Sequence, residues 1–146
     1  MLTIRIQKLP HGRELPLPTK HSAEAAGFDL VAACESQVTL DPMQITLVPC
    51  GFAMQIPAGY EAQVRARSGL ASKHGITLIN AVGTIDSDYR GEVKVPLINL
   101  SQQPYTITRG ERIAQMLVAP VPEVRIEEVD TLDETTRGSG GFGHTG

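Results

Sequence analysis

The stretch that decides the fold is QITLVPCGFAMQIPAGYEAQVRA, residues 44–66. It contains three short apolar or alternating runs: Gln44–Pro49, Gly51–Ile56 and Glu61–Ala66. Turn-forming residues separate the runs. Pro49 and Gly51 flank the first junction, and Pro57-Ala58-Gly59 forms the second junction. Proline and glycine favour turns over helix interiors, so the stretch predicts consecutive β-strands.

The same pattern recurs along the 146 residues of the chain. The further predicted strands are Thr3–Lys8, Phe28–Ala32, Gln37–Leu40, Ile76–Ala81, Glu92–Asn99, Tyr105–Ile107, Arg112–Ala119 and Arg125–Val129. Only Ser68–His74 resembles a helix, of one or two turns. Since 14 glycines and 10 prolines are spread along the chain, the pattern predicts an all-β domain, either a barrel or a two-sheet jelly roll.

The run Ile113–Val121 is apolar almost throughout, and Gln115 is its one strongly polar residue. Such a strand is predicted to be buried on both faces, either in the core or against another subunit. A buried glutamine needs hydrogen-bond partners, and these are either structural backbone groups or a ligand.

Size and composition narrow the class of protein. A chain of 146 residues fits one domain with its own core, and a net charge of −3 argues against a nucleic-acid polymer as the main partner. The N-terminus lacks a signal-like segment and no apolar run reaches the roughly 20 residues of a membrane span, so we expect a soluble cytoplasmic protein without a membrane partner.

Cys34 and Cys50 are expected to be buried free thiols. The four scattered histidines argue against a zinc or iron site, whereas a hard cation held by oxygens stays open.

The segment Gly83–Glu92 carries two aspartates, Tyr89 and an arginine between two apolar runs, Ile76–Ala81 and Val93–Leu97. We expect it at the tip of a hairpin. There an aspartate could orient and deprotonate a water, and the ring of Tyr89 could form one wall of a pocket. The alternative is an ordinary solvated turn.

Two other segments could contact a ligand, the first an anion and the second a hydrated metal. Arg67-Ser68-Gly69-Leu70 lies where a strand gives way to the helical stretch, so a cap at Ser68 or its neighbour would leave free amides beside an arginine. Asp29, in Ala26–Leu30, could cap a turn or steer a hydrated metal. A capped helix start and a capped turn are the plain alternatives.

The last nine residues directly follow Arg137. They hold five glycines and the aromatic residue Phe142. Glycine leaves backbone amides open to a ligand, arginine can fork onto phosphate, and the ring can stack on a base. The tail therefore has the parts of a nucleotide lid, although an isolated tail of this kind is more often a frayed terminus.

In this order, five segments resemble the five sequence motifs of the trimeric dUTPase family, the dUTP pyrophosphatases. They are Ala26–Leu30, Arg67–Leu70, Gly83–Glu92, Arg109–Met116 and Arg137–Gly143. The resemblance implies a jelly-roll β-barrel in residues 1–133 and a homotrimer with active sites between subunits. It also implies a flexible arm, residues 134–146, that closes a neighbouring site.

The resemblance also implies a reaction and a set of roles. dUTP would be hydrolysed to dUMP and pyrophosphate with Mg²⁺, keeping uracil out of DNA and supplying dUMP, and Asp86 would activate the attacking water. The implied residues for uracil and deoxyribose are Asn80, Thr84, Ile85, Tyr89, Lys94 and Phe142. Those for phosphate are Arg67, Ser68, Gly69, Gln115, Arg137 and Ser139, and Asp29 would act on the metal through water.

One position departs from the pattern, since His144 stands where many relatives have a small hydroxyl residue; only contacts of the arm tip depend on it. Two rival functions stay open. A dCTP deaminase shares the fold, but it is expected to need a glutamate where this chain has Asp86. A non-catalytic regulatory member would be expected to lack Asp86 or the arm, and both are present.

Overall fold

The computed structural model describes residues 1–144 of the chain, and these are mainly β-structure. One 3₁₀ turn, Pro10–Gly12, and one helix, α1 (Ser68–His74), accompany the strands within the described residues. The strands are β1 (Arg5–Lys8), β2 (Phe28–Val31), β3 (Val38–Leu40), β4 (Ile45–Gln55), β5 (Tyr60–Arg65), β6 (Ile76–Leu78), β7 (Val82–Ile85), β8 (Glu92–Asn99), β9 (Tyr105–Ile107) and β10 (Arg112–Pro120). No helix of residues 1–144 is long and apolar enough to cross a membrane.

The strands form two four-stranded antiparallel sheets and a small pair. The first sheet has the order β1-β4-β8-β6, the second has the order β2-β10-β5-β7, and β3 pairs with β9. Both sheets contribute to one apolar core, with Val48 and Leu97 from the first and Leu30 and Met116 from the second. The predicted all-β class is confirmed.

Two predicted strands are one in the structure. Gln44–Pro49 and Gly51–Ile56 join as β4, which bends where its pairing with β8 shifts register between Pro49 and Ala53. Gly51 lies in that shift with a φ of 76°, a conformation that glycine adopts without steric cost. The turn signal was real, but it marked a bulge instead of a chain reversal.

The predicted strand Arg125–Val129 is wrong. The last strand ends at Pro120, and residues 121–133 are exposed and outside the sheets. Val124 is 74% and Ile126 is 93% exposed, so the alternation that predicted a strand has no neighbouring strand to pair with in the described chain.

The long apolar strand is buried only over its first half. Ile113, Ala114 and Met116 are buried, while Leu117 is half-buried, as are the two residues after it. Within one protomer, the prediction of burial on both faces therefore holds for the beginning of β10 and fails for its end. The uncovered half lies beside the exposed segment 121–133.

A backbone contact fixes the N-terminal segment against the bulge of β4. The Leu9 amide donates to the Gly51 carbonyl at 2.9 Å. Gly12 approaches that carbonyl so closely that a Cβ on Gly12 would lie 2.1 Å from the Gly51 oxygen. The backbone at residue 12 and the backbone at residue 51 cannot move apart without breaking the Leu9–Gly51 hydrogen bond. Residue 12 therefore has to be glycine for steric reasons alone.

Replacing Gly12 with alanine should therefore destabilise the fold by about 2–3 kcal/mol or more, as overpacking against rigid backbone does. Gly59→Ala is a matched control: its φ is 82°, yet nothing lies within 4 Å of its added Cβ, so it should cost only about 1 kcal/mol for conformation. Urea denaturation at one fixed protein concentration measures both values. Equal losses for the two variants would contradict the steric account.

Both cysteines are buried and free, as predicted. Burial, and then the nearby negative charge of Glu92, raises the pKa of the Cys50 thiol to about 12. Since the thiolate is the reactive form, this thiol is chemically inert near neutral pH in the folded protein.

We expect iodoacetamide at pH 8 to leave Cys50 of the native protein unmodified and to alkylate it in guanidinium chloride, as read by mass spectrometry of the peptides. Unfolding restores both solvent access and the ordinary thiol pKa. Rapid alkylation of the native protein at Cys50 would show that the thiol is exposed or ionised.

Candidate active site

A cavity of about 340 Å³ opens between β7 and β8. Six of the residues predicted to contact nucleotide line it: Asn80, Thr84, Ile85, Asp86, Tyr89 and Lys94. Its floor is apolar, with Val64 from the second sheet and Leu78 from the first. The cavity therefore combines a wall of polar groups with an apolar base, as small-molecule sites usually do.

The cavity exists because the chain changes sheets twice. β6 and β8 pair in the first sheet, with Leu78 opposite Leu97, as expected of the two arms of a hairpin. The segment between them is not a hairpin tip, which corrects the prediction, since β7 leaves to pair with β5 in the second sheet. The predicted strand Ile76–Ala81 accordingly ends at Leu78, and β7 was not predicted.

The turn from β6 to β7 holds Asn80 at one end of the cavity. The Ala81 amide donates to the Leu78 carbonyl at 3.1 Å, and the Val82 amide donates to the Asn80 carbonyl at 2.7 Å. Ala81 has a φ of 61°, which is uncommon for a residue with a side chain. A Cβ on Gly83 would lie 3.4 Å from the Asn80 side-chain nitrogen, so Asn80 lies over the start of β7.

The loop 86–91 carries Asp86 and Tyr89 at the other end. The Tyr89 amide donates to the Asp86 carbonyl at 3.2 Å, and the Arg90 guanidinium donates to the Ser87 and Tyr89 carbonyls at 2.7 and 2.9 Å. Asp86 is exposed to solvent and not engaged in an ion pair with any described residue. Its carboxylate is thus available to a ligand.

A second polar cluster lies on β2, β10 and the chain after β5. The Asp29 carboxylate is 3.2 Å from Arg112 and 3.6 Å from Arg67, and Arg67 also donates to the Arg112 carbonyl at 3.0 Å. Sequence reasoning missed Arg112, although it lies within the segment Arg109–Met116. Nothing in the sequence shows that it contacts Asp29 on the neighbouring strand. The cluster presents two guanidinium groups and one carboxylate.

Gln115 lies in the same cluster. Its side-chain nitrogen donates to the Ala66 carbonyl at 3.0 Å, and its oxygen lies where a Cβ on Gly27 would be 2.6 Å away. One partner of this glutamine is therefore structural, and the side chain is half-buried instead of fully buried.

Ser68 and Gly69 begin α1 and are exposed. A cap was expected at Ser68 or its neighbour: the cap position belongs to the neighbour, Arg67, but no side chain makes a capping hydrogen bond. The first-turn amides of a helix have no partner inside it. Ser68 and Gly69 thus offer backbone donors beside Arg67.

Asp86 and the arginine cluster do not meet within one protomer. Ala62 lies opposite Ile85 and Arg65 opposite Val82, so Asp86 lies level with Glu61, at the beginning of β5, and Arg67 follows the end of that strand. Six residues of extended chain separate these levels, which corresponds to about 20 Å. The Asp86 end of the cavity and the arginine cluster are therefore separate surfaces of the protomer.

The arm residues are also away from the cavity in the protomer. Arg137, Ser139 and Phe142 are exposed, and Phe142 is not among the residues that line the cavity. Arg137 donates to the Gly140 carbonyl at 2.8 Å, which folds the arm locally on itself. Residues 145–146 of the predicted arm lie outside the described residues.

The donor set for a metal ion is sparse. Within residues 1–144 no group of three or more His, Cys, Asp or Glu side chains is placed to hold a cation. Asp29 is the single predicted metal residue, and its carboxylate faces two arginines.

Comparisons with known proteins agree with this architecture. The dUTPase family model matches residues 13–146. The chain is 54% identical to the deoxyuridine 5'-triphosphate nucleotidohydrolase of Wolbachia pipientis subsp. Culex pipiens (strain wPip), across 99% of this chain and 96% of that protein. It is 57% identical to the protein of the same name from Methylocella silvestris, across 99% of this chain and 92% of that protein.

Solved structures share the fold. The dUTPase of Staphylococcus bacteriophage 80alpha with dUPNHPP superposes with a TM-score of 0.87 at 24% identity, covering 99% of this chain and 98% of that one. A mutant dUTPase of the Staphylococcus aureus phage phi11, described with a structural Mg(II) ion, superposes with a TM-score of 0.80 at 21% identity. The match covers 90% of this chain and 99% of that one.

The antiparallel sheets and their arrangement thus define an all-β protein with the dUTPase fold. The family match over nearly the whole chain and the identities above 50% show the protein's family as well as its fold. The chain belongs to the dUTPase family.

Proposed function

We propose that the cavity between β7 and β8 binds the deoxyuridine part of dUTP and that hydrolysis takes place at its Asp86 end. As a dUTPase, the chain is a dUTP diphosphatase, which converts dUTP and water to dUMP and pyrophosphate. The observation that carries the location is that six residues predicted to contact nucleotide line one cavity.

Uracil fits the end of the cavity near Asn80. The Asn80 amide can both donate and accept, and the exposed strand β7 brings Thr84 and Ile85 to the same wall. Cytosine carries an amino group where uracil carries a carbonyl, so its binding would leave polar groups unpaired. Sites that read hydrogen bonds discriminate more strongly than apolar pockets do.

Tyr89 follows Asp86 by three residues in sequence and lines the same cavity. Tyr89 is 47% exposed, which leaves part of the side chain accessible to a sugar. A deoxyribose packed on that ring leaves no room for a 2′-hydroxyl, which provides the means to refuse ribonucleotides.

Asp86 is the proposed general base. Its free carboxylate can accept a proton from water as the water oxygen attacks the α-phosphorus, and pyrophosphate leaves. Phosphoryl transfer requires mainly positioning and charge neutralisation, which suits a site with one base and several arginines.

The separation within the protomer supports a site shared between copies of the chain. A nucleotide whose α-phosphate lies at Asp86 cannot also place its triphosphate on Arg67, Ser68, Gly69 and Gln115 of the same copy, about 20 Å away along β5. Those residues are therefore proposed to come from a second copy. Ile45 and Leu47 on β4 are 56% and 57% exposed, which also favours a partner surface. The expected assembly is a homotrimer with the jelly-roll barrel of the family.

The arm is proposed to complete a neighbouring site. From Pro120 to Arg137 there are 17 residues, which span up to about 56 Å when extended, enough to cross to another copy. Phe142 would stack on uracil, and Arg137 and Ser139 would bind the terminal phosphates. The boundary at 133 stays a prediction, since exposed chain already begins after Pro120.

Magnesium is proposed as the cofactor, held mainly by the triphosphate, and it would neutralise phosphate charge. The sparse donor set fits this arrangement, because Mg²⁺ keeps several waters and needs few protein ligands when phosphates bind it. Asp29 would act through a water and also orient Arg67. The proposed location of the reaction is the cytoplasm.

The first experiment offers dUTP, dCTP, dTTP and UTP with Mg²⁺ and resolves nucleotides, pyrophosphate and ammonia. We expect turnover of dUTP alone. Asp86→Asn should lower kcat by about 10²–10⁴-fold, since it removes the base. The matched control is Asp88→Asn on the same loop, which does not line the cavity and should stay within about twofold.

Three results would contradict this assignment. Equal losses in the two variants would remove Asp86 from its role. Binding of dUTP without turnover would favour the regulatory alternative, and ammonia from dCTP would favour a deaminase.

Truncation after Asp133 tests the arm. We expect kcat/KM for dUTP to fall by about 100-fold or more, because lid closure excludes water and completes the site, while the thermal midpoint of the body changes little. Phe142→Ala in the full chain should give a smaller loss of the same sign. Near-normal turnover of the truncated protein would show that the arm is dispensable.

A further inference from the structure

The side chain of Glu92 fills a gap in the first sheet. Glu92 begins β8 opposite Ala53, just beyond the register shift that leaves Gly51 outside the regular ladder. A buried amide without a ladder partner needs another acceptor. The Glu92 carboxylate is that acceptor, since the Gly51 amide donates to its Oε1 at 3.0 Å.

His11 contacts the same oxygen. Its Nε2 is hydrogen-bonded to Glu92 Oε1, and the two side chains are 31% and 15% exposed. The backbone around His11 is fixed as well, because Arg109 donates to the His11 carbonyl at 2.7 Å and to the Cys34 carbonyl at 3.3 Å. The carboxylate is thus held by two elements that are distant from it in sequence.

The main chain of Glu92 holds Tyr89. The Tyr89 hydroxyl donates to the Glu92 carbonyl at 3.2 Å. A Cβ on Gly91 would lie 2.3 Å from the Tyr89 hydroxyl oxygen and 2.5 Å from Cζ, so the ring rests directly on the backbone of residue 91. The position of the ring therefore depends on where residues 91 and 92 are placed.

We propose that Glu92, held by His11 and by the Gly51 amide, is a positioning residue that sets the Tyr89 ring and thereby the discrimination against ribose. The inference rests on the proposed role of Tyr89 in sugar selection. Glu92 lines the cavity, but its Oε1 is engaged by His11 and by the Gly51 amide, so in this account both side chains act through Tyr89. They act by anchoring the exit of the loop 86–91 to the bulge of β4 and to the N-terminal segment.

This arrangement explains why a charged residue begins β8 beside the site. Without the carboxylate, the Gly51 amide loses its acceptor and the backbone at 92 is free to shift. A displacement of a fraction of an ångström at the Glu92 carbonyl moves the ring, and a clash between the ring and a 2′-hydroxyl is sensitive to such a change. The loss should therefore appear in selectivity.

The experiment measures kcat and KM for dUTP and for UTP in the full-length protein with Mg²⁺, for Glu92→Ala, Glu92→Gln, His11→Ala and Tyr89→Ala. The readout is the ratio of kcat/KM for dUTP to that for UTP. We expect Glu92→Ala to lower this ratio about 10-fold and His11→Ala about threefold. Glu92→Gln should keep it within about twofold, because the amide oxygen still accepts from Gly51.

Asn99→Ala controls for stability loss. Asn99 lies at the opposite end of β8, is fully buried and donates to the Leu40 and Gln103 carbonyls at 2.9 and 2.7 Å. Its replacement should lower the thermal midpoint without changing the sugar ratio. If Glu92→Ala does not fold, His11→Ala carries the test, since it leaves the Glu92–Gly51 bond in place.

The outcomes separate the two claims. If Tyr89→Ala leaves the ratio unchanged, the proposed role of Tyr89 fails. If Tyr89→Ala lowers the ratio while the folded variants at Glu92 and His11 do not, the positioning role is overturned. An equal fall in the ratio for Glu92→Ala and Asn99→Ala would also overturn it, because selectivity would then follow stability alone.

Discussion

The pairing of β7 with β5 is the constraint on which the site depends. β6 and β8 are joined to each other in the first sheet, and β7, which lies between them in sequence, belongs to the second. The chain therefore leaves one sheet and returns to it within a short distance. The opening between β7 and β8 is the direct result, and Asn80 and Asp86 lie on its rim because they flank β7.

The same pairing separates Asp86 from the arginine cluster. Since Ile85 lies opposite Ala62, the Asp86 end of β7 is level with the beginning of β5, whereas Arg67 follows the end of β5. Asp29 and Arg112 gather around Arg67 at that far end. In a single copy, the Asp86 end of the cavity thus lies away from the arginine cluster. This geometry, the half-buried end of β10 and the exposed segment 121–133 are consistent with an assembly in which copies complete one another.

Local sequence patterns predicted most strands because alternation and turn residues are local properties. They failed where the outcome depends on a distant partner. Arg125–Val129 alternates like a strand but has no neighbour in the described chain, and β7 was missed because its four residues include a glycine and lead into an acidic loop. The cavity residues were named through the resemblance to the dUTPase motifs, since periodicity alone gives no reason to choose Lys94 or Asn80. Arg112, Glu92 and His11 carried no local signal: their roles arise from contacts across strands and from a bulge at Gly51.

The most direct test of the account is a crystal structure of the protein with Mg²⁺ and a dUTP analogue whose α- and β-phosphorus atoms are bridged by an imido group. The account predicts uracil beside Asn80, the sugar on Tyr89 and the α-phosphate at Asp86 of one copy, with the remaining phosphates on Arg67 and Gln115 of a second copy. A nucleotide bound entirely within one copy, or a base bound outside the cavity between β7 and β8, would contradict it.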